Sequence, residues 1–345
     1  MKLPVEAIQF VEVPCPICQS TSWRLLAKFV DWTYGIGGPF QSVRCSDCGH
    51  GYLNPRPTDE SLLKCYPEQY GPHHLDRTVE LLHAENESYQ GQVQPVALDE
   101  SKRRFQVLRK LWRRWLDNRS TWMPTIEKAK INSSPMALEI GCADGWFCQQ
   151  LSEAGWDIQG IEPVAAAAER ARARGIQVHI GTVKDVFVPS QSTDFVAAWM
   201  VLEHLPNPVE SVQQIGKWVK PGGTFAFSVP NAASLDRSIF GRHWSGYDGG
   251  RHLQFYTPRS LAMLLSKGDF RIERVIHQNT IQPFVGSIGS LVHSTSPASR
   301  IAEKLSAVYM NEISFRARVL CSPLANLVAG LYLSSRITVI ARKNS

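Results

Sequence analysis

Long apolar runs, repeats and abundant charge are all missing from this chain, and the first and last of these shortages exclude something. No stretch of 18 uncharged apolar residues occurs in its 345 positions, so a classical spanning helix is not expected. The opening residues, MKLPVEAIQFVEVPC, lack the apolar segment of a secretory leader, and the expectation is a cytoplasmic protein. No internal repeat or low-complexity tract breaks the sequence. Charged residues make up 20%, a little below the globular norm. The net charge of +6 is concentrated: between Lys102 and Arg119 eight basic residues stand against Asp117 alone, and the remainder is close to neutral. A nucleic-acid binder would show a wider basic face, so no nucleic acid is expected as a partner.

What is present is a globular composition, 43% apolar, in a chain long enough for about two domains. Its pattern divides three ways. Residues 1–57 are strand-like and rich in turns, too few to fold on a core alone. Residues 58–134 turn helical, with Phe105, Leu108, Trp112 and Trp115 lining one face of the basic stretch. From 135 to 345, short apolar runs alternate with helical ones: strands at Met136 to Ile140, Ile158 to Ile161, Val178 to Ile180, Phe195 to Met200 and Thr224 to Val229, then Arg271 to His277 and Arg336 to Ala341. That alternation predicts an α/β domain with a seven-stranded, largely parallel sheet covered on both faces, and a helical insertion at about 282–335.

Four of the eight cysteines form two CxxC pairs, Cys15 with Cys18 and Cys45 with Cys48, 26 residues apart. Two such knuckles can close a tetrahedral four-thiolate site, and structural Zn2+ is the expected occupant, with every position filled by protein. Cys65, Cys142, Cys148 and Cys321 lack partners at ligand spacing and read as small buried residues.

The turn Gly141-Cys142-Ala143-Asp144-Gly145 follows the first predicted strand of the α/β domain, and Glu162 ends the next strand, 21 residues after Gly141. An acidic side chain there can accept both hydroxyls of a ribose. A dinucleotide fingerprint would need glycine at 143 and 146, where the chain has Ala143 and Trp146, so an NAD-dependent enzyme is disfavoured. Phosphate-loop chemistry is absent, since no lysine followed by serine or threonine closes the turn.

These residues and those after them resemble the class I S-adenosylmethionine-dependent methyltransferases. LEIGCADG (Leu138 to Gly145) is similar to that family's first motif, with Ala143 in place of the usual middle glycine. GIEP (Gly160 to Pro163), DFVAAWMVLEHL (Asp194 to Leu205), Pro221-Gly222-Gly223 and RHLQFYTPRSL (Arg251 to Leu261) resemble its later elements in order. A zinc module before the catalytic domain resembles a subfamily that includes some sugar C-methyltransferases, although Arg251 stands where their pattern has glutamate. The resemblance implies a Rossmann-like methyltransferase fold and S-adenosylmethionine as methyl donor. It implies that Glu139 and the backbone of Gly141, Ala143 and Gly145 hold the methionine portion, that Glu162 takes the ribose, that Val183 and Asp185 approach the adenine, and that Met200 lines the pocket near the sulfonium.

Methyl transfer also needs the acceptor's proton removed. His252, in the substrate-side segment, and His204, at the mouth of the fourth strand, are the candidates, with a structural histidine bonded to backbone as the alternative for His204. Trp244, Tyr247, Phe255 and Tyr256 form either an acceptor pocket or the core of a lid. Glu203, Asp236 and Asp248 read as solvated or capping groups. The acceptor is expected to be a small molecule or a glycan- or lipid-linked group, such as a sugar or quinone-type hydroxyl. A catalytically inactive nucleotide-binding module with a zinc ribbon is the alternative. The basic stripe at 105–116 and the apolar stretch at 319–333 give two readings, peripheral contact with an anionic membrane or packing within the protein. The oligomeric state is not legible.

Overall fold

The computed structural model describes residues 8–66, 135–296, 299–310 and 315–345. The basic helix expected at 102–119 lies outside the described residues.

The N-terminal unit is built from short strands: β1 (Phe10–Val11), β2 (Trp23–Phe29), β3 (Phe40–Cys45), β4 (Gly51–Leu53) and β5 (Arg56–Pro57), followed by one turn of helix, α1 (Asp59–Leu62). β2, β3 and β4 form an antiparallel sheet, and β1 pairs with β5.

The larger unit alternates as its apolar periodicity predicts. Its first part runs β6 (Met136–Ile140), α2 (Trp146–Glu153), β7 (Asp157–Glu162), α3 (Ala165–Ala173), β8 (Gln177–Ile180), β9 (Thr193–Trp199), α4 (Pro208–Trp218) and β10 (Val219–Pro230). Then come α5 (Leu235–Phe240), β11 (Gln254–Phe255), α6 (Pro258–Lys267), β12 (Phe270–His277), three helices α7 (Gln282–Thr295), α8 (Arg300–Met310) and α9 (Phe315–Gly330), and β13 (Arg336–Lys343).

Seven of these strands form one sheet in the order β12-β13-β10-β9-β6-β7-β8, with β13 antiparallel to both neighbours. This is the seven-stranded, largely parallel α/β sheet that the alternation of apolar runs predicts. The central strands are buried on both faces, which is why MALEI and FVAAW read as continuous apolar runs instead of alternating ones. Pro221-Gly222-Gly223, expected as a turn before the fifth strand, lies inside β10 as an irregularity, with the register to β9 shifting between Val219 and Thr224.

Strand order reverses between β6 and β9, and the crevice beyond their carboxyl ends is where open α/β sheets bind ligands. The N-terminal unit borders that side of the molecule. β11, two residues long, pairs with β4 and so extends the N-terminal sheet with a strand of the larger unit. Between them lies an aromatic core of Phe29, Phe40, Leu53, Trp244, Tyr247, Leu253 and Phe255, with Phe29 stacked on Tyr247 at 4.3 Å between ring centres.

Candidate functional site

The turn after β6 approaches its neighbours too closely for most side chains. Gly141 has φ +68, and a Cβ there would sit 2.7 Å from Val201; Gly145 has φ +78, and its Cβ would meet Ala171 at 2.8 Å. Ala143, which replaces a glycine in the resembling motif, is held at φ +48, a left-handed conformation costing an L-residue about 1–2 kcal/mol. Its amide donates to Glu162 Oε2 at 2.9 Å, and the amide of Val164 donates to Glu162 Oε1, also at 2.9 Å. Glu162 thus ties the turn to the end of β7. Each carboxylate oxygen has two acceptor directions, so these bonds leave capacity for two hydroxyls.

Glu139, one residue before the end of β6, is 3% exposed and accepts the Cys148 thiol at 3.0 Å. Burial pushes its carboxyl up to about 8. Cys148, read from sequence as an ordinary buried residue, is therefore the polar partner of Glu139. Met200, the residue after β9, is held at φ +56, a strained position of the kind that gathers at binding sites. Val183 is buried. Asp185 is exposed and accepts from the amide and hydroxyl of Thr182, at 2.8 and 2.7 Å, which lowers its carboxyl from the ordinary range. Its side chain serves its own loop.

On the opposite side of the crevice, a short turn from Leu202 to His204 meets the segment before β11. His252 is buried, and its Nδ1 lies 2.9 Å from the carbonyl of Gly246. A carbonyl only accepts, so Nδ1 carries the hydrogen and Nε2 keeps its lone pair. His204 is held in the same way, Nδ1 lying 3.1 Å from the Arg251 carbonyl and 3.0 Å from the Tyr66 hydroxyl. Burial lowers both imidazoles, His204 to about 3. His204 and His252 are both bonded to backbone carbonyls through Nδ1.

Glu203, Asp236 and Asp248 were expected to be solvated or capping groups; none is solvated, and Asp236 lies in the first turn of α5. Asp236 is fully buried and accepts from Trp244 Nε1 at 3.1 Å. Asp248 forms a two-pronged pair with Arg251, at 2.9 and 3.0 Å. Arg251, itself 0% exposed, reaches across to Asp31 at 2.8 and 3.1 Å and to the carbonyl of Cys65 at 3.0 Å. Glu203 is 0% exposed. Among the described residues, neither of its oxygens has a hydrogen-bond partner apart from its own main-chain amide, and burial pushes the carboxyl up to about 8. Trp244, Tyr247, Phe255 and Tyr256 are at most 3% exposed and form packed core where the two units meet, not an open pocket.

The four knuckle cysteines converge as their spacing predicts. Cys15 and Cys48 Sγ are 3.5 Å apart, as are Cys18 and Cys45, and all four sulfurs lie within 4.8 Å of one another. Four thiolates at 2.3 Å from a tetrahedral ion stand roughly 3.8 Å apart, so the set fits such an ion without rearrangement of the fold. Gly49, at φ +77, makes the turn that lets the second knuckle close.

Residues 105–275 match a family profile described as a methyltransferase domain. The chain is similar to a ubiquinone biosynthesis O-methyltransferase of Saccharophagus degradans, 30% identical over 112 residues, which cover 30% of this chain and 47% of that one. It is also similar to the protein of the same name in Methylococcus capsulatus, 32% identical over 102 residues, 28% of this chain and 43% of that one. The chain spans less than half the length of these curated relatives. Among solved structures, an S-adenosylmethionine-dependent methyltransferase from Mesorhizobium loti aligns with 65% of this chain and 94% of its own, at 18% identity and a TM-score of 0.40.

Proposed function

We propose that the chain, whose seven-stranded unit is a class I S-adenosylmethionine-dependent methyltransferase domain, transfers a methyl group to an oxygen of a small or lipid-linked acceptor. The observation that carries this reading is the joined donor side: a left-handed glycine turn after β6, clamped by Glu162 from β7, beside the buried Glu139. S-adenosylmethionine supplies, when bound, a sulfonium methyl group open to in-line displacement. The turn amides would bind the carboxylate of its methionine part, Glu139 the ammonium and Glu162 the ribose. Alignment of donor and acceptor is the chain's main task in such a displacement.

Handling of the acceptor proton falls to the other side of the crevice. His252, its Nδ1 held by the Gly246 carbonyl, would take the proton at Nε2, and His204 stands beside it with ring centres 4.7 Å apart. With a responsive acceptor and labelled S-adenosylmethionine, His252→Asn should lower the transfer rate by about 10²- to 10⁴-fold while donor affinity stays unchanged. Wild-type rates in that variant would remove His252 from the site. The cysteine set takes structural zinc, because its four thiolates leave no open position.

The relatives named for ubiquinone biosynthesis favour a quinone-type hydroxyl on a lipid-soluble acceptor. One feature of this chain agrees: α9 bares Leu320, Leu324 and Leu327, with Leu331 and Tyr332 just beyond, all at least 58% exposed. None of the described helices is long and apolar enough to cross a membrane. An exposed apolar face is part of what an interfacial contact requires. Flotation with anionic vesicles at low salt should carry the protein upward, and Leu324→Asp with Leu327→Asp should abolish this. Failure of the wild type to float would leave α9 as a protein–protein surface.

A further inference from the structure

The second cysteine knuckle borders a cleft that the methyltransferase reading leaves unused. Its volume is about 330 Å³, and three arginines from three elements line it: Arg24 of β2, Arg44 of β3 and Arg259 of α6, around the stretch from Cys45 to Gly49. All three are exposed. Among the described residues, the side chains of Arg24 and Arg259 have no hydrogen-bond or ion-pair partner. Asp47 is the acidic residue of the lining, and it pairs with none of the three.

These positions run against the chain's own local electrostatics. Arg24 stands directly opposite Arg44 in the antiparallel register of β2 and β3, a cross-strand placement in which like charges destabilise the pair. Arg259 sits in the first turn of α6, which carries no acidic residue, although the positive end of the helix dipole favours one there. Arg44 is held in place by the knuckle: its Nε donates to the Gly49 carbonyl at 3.2 Å, and a Cβ at Gly49 would stand 3.2 Å from its Nη2. Glycine at 49 therefore keeps room for the guanidinium. Local rules broken together around one cleft are expected where a site serves a ligand.

We propose that this cleft binds the phosphate group of a phosphate ester carried by the acceptor. Each planar guanidinium can take two oxygens of such a group, and a phosphate monoester offers three strong acceptor oxygens and a charge of about −2, which three forks from different directions can share. The inference rests on the methyltransferase reading for its purpose, since it names a chemical feature of the acceptor. Side chains join the cleft to the acceptor side of the crevice. His50, next to Gly49, lies 2.9 Å from Gln254 Oε1, and Gln254 Nε2 donates to the Leu205 carbonyl at 3.0 Å. Tyr256, three residues before Arg259, donates to the Leu202 carbonyl at 3.2 Å. Both carbonyls flank Glu203 and His204, in the turn that follows β9.

The test uses the full chain with the cysteine site loaded with zinc, titrated with inorganic phosphate at low ionic strength while the phosphorus nuclear magnetic resonance signal is followed. One phosphate should bind per chain, and added sodium chloride should weaken it. Arg24→Gln and Arg259→Gln should each weaken binding by roughly tenfold, the loss typical of a hydrogen bond between charged groups. Each removes an unfavourable charge, so neither variant should melt lower or lose zinc. Arginines serving only as counter-charges to the zinc and its four thiolates would give the reverse, with zinc content or melting temperature falling and no phosphate bound, and that result would overturn the site. Equal binding by wild type and the double variant would overturn it as well. Uridine diphosphate and geranyl phosphate are titrated in parallel, and the one that binds more tightly than inorganic phosphate identifies a nucleotide or a lipid as the ester's carrier. S-adenosylmethionine affinity is measured on the same samples: donor binding without phosphate binding refutes the cleft alone, whereas phosphate binding without donor binding refutes the methyltransferase reading alone.

Discussion

Glu139 shows how one carboxyl can report on the donor. Burial raises it from an ordinary 4.5 to about 8, so near neutral pH it is mostly protonated in the free protein. For stability the sign follows directly: the folded state holds the extra proton, and stability is lost as pH rises from about 4.5 through 8. For binding the sign is opposite, because an ammonium favours the ionised carboxylate. Donor affinity should therefore rise between pH 6 and 7, by up to about tenfold if this proton alone is released. Calorimetry at the two pH values checks it, and Glu139→Gln should bind more weakly with a flat profile. The glycines and both acidic strand ends were legible because each is set by neighbours within a few positions. Glu203 was not. Its burial depends on His252 and the segment around Asp248, some 45 residues away, and no local pattern distinguishes it from a solvated glutamate.

At the level of elements, alternating apolar runs placed all seven strands of the large sheet, since doubly buried strands must be apolar throughout. β11 escaped because two residues carry no periodicity; its existence depends on β4, some 200 positions earlier in the chain. The knuckles were legible from spacing alone. Freshly purified, reduced protein should carry about one zinc per chain. Elemental analysis of Cys48→Ala should show that zinc lost. His50 follows this knuckle and is 2.9 Å from Gln254 in β11, so loss of the ion should also loosen the sheet's junction with the larger unit. Zinc content unchanged in the variant would refute the ligand set.

The whole molecule is held together by contacts the sequence divided between separate segments. Arg251 joins Asp31 and Cys65 of the N-terminal portion to Asp248, and the aromatic core around Tyr247 fills the same junction. The strand-like first segment and the segment from Tyr247 to Phe255 are consequently one packed body, and Arg251 serves that junction. The central claim is that the clamped turn after β6 binds S-adenosylmethionine. Isothermal calorimetry of the zinc-loaded chain tests it most directly. One donor molecule should bind per chain, Glu162→Ala should weaken it by about 1–3 kcal/mol, and NADH should give no heat. Unchanged affinity in Glu162→Ala, or binding of NADH in place of S-adenosylmethionine, would contradict it.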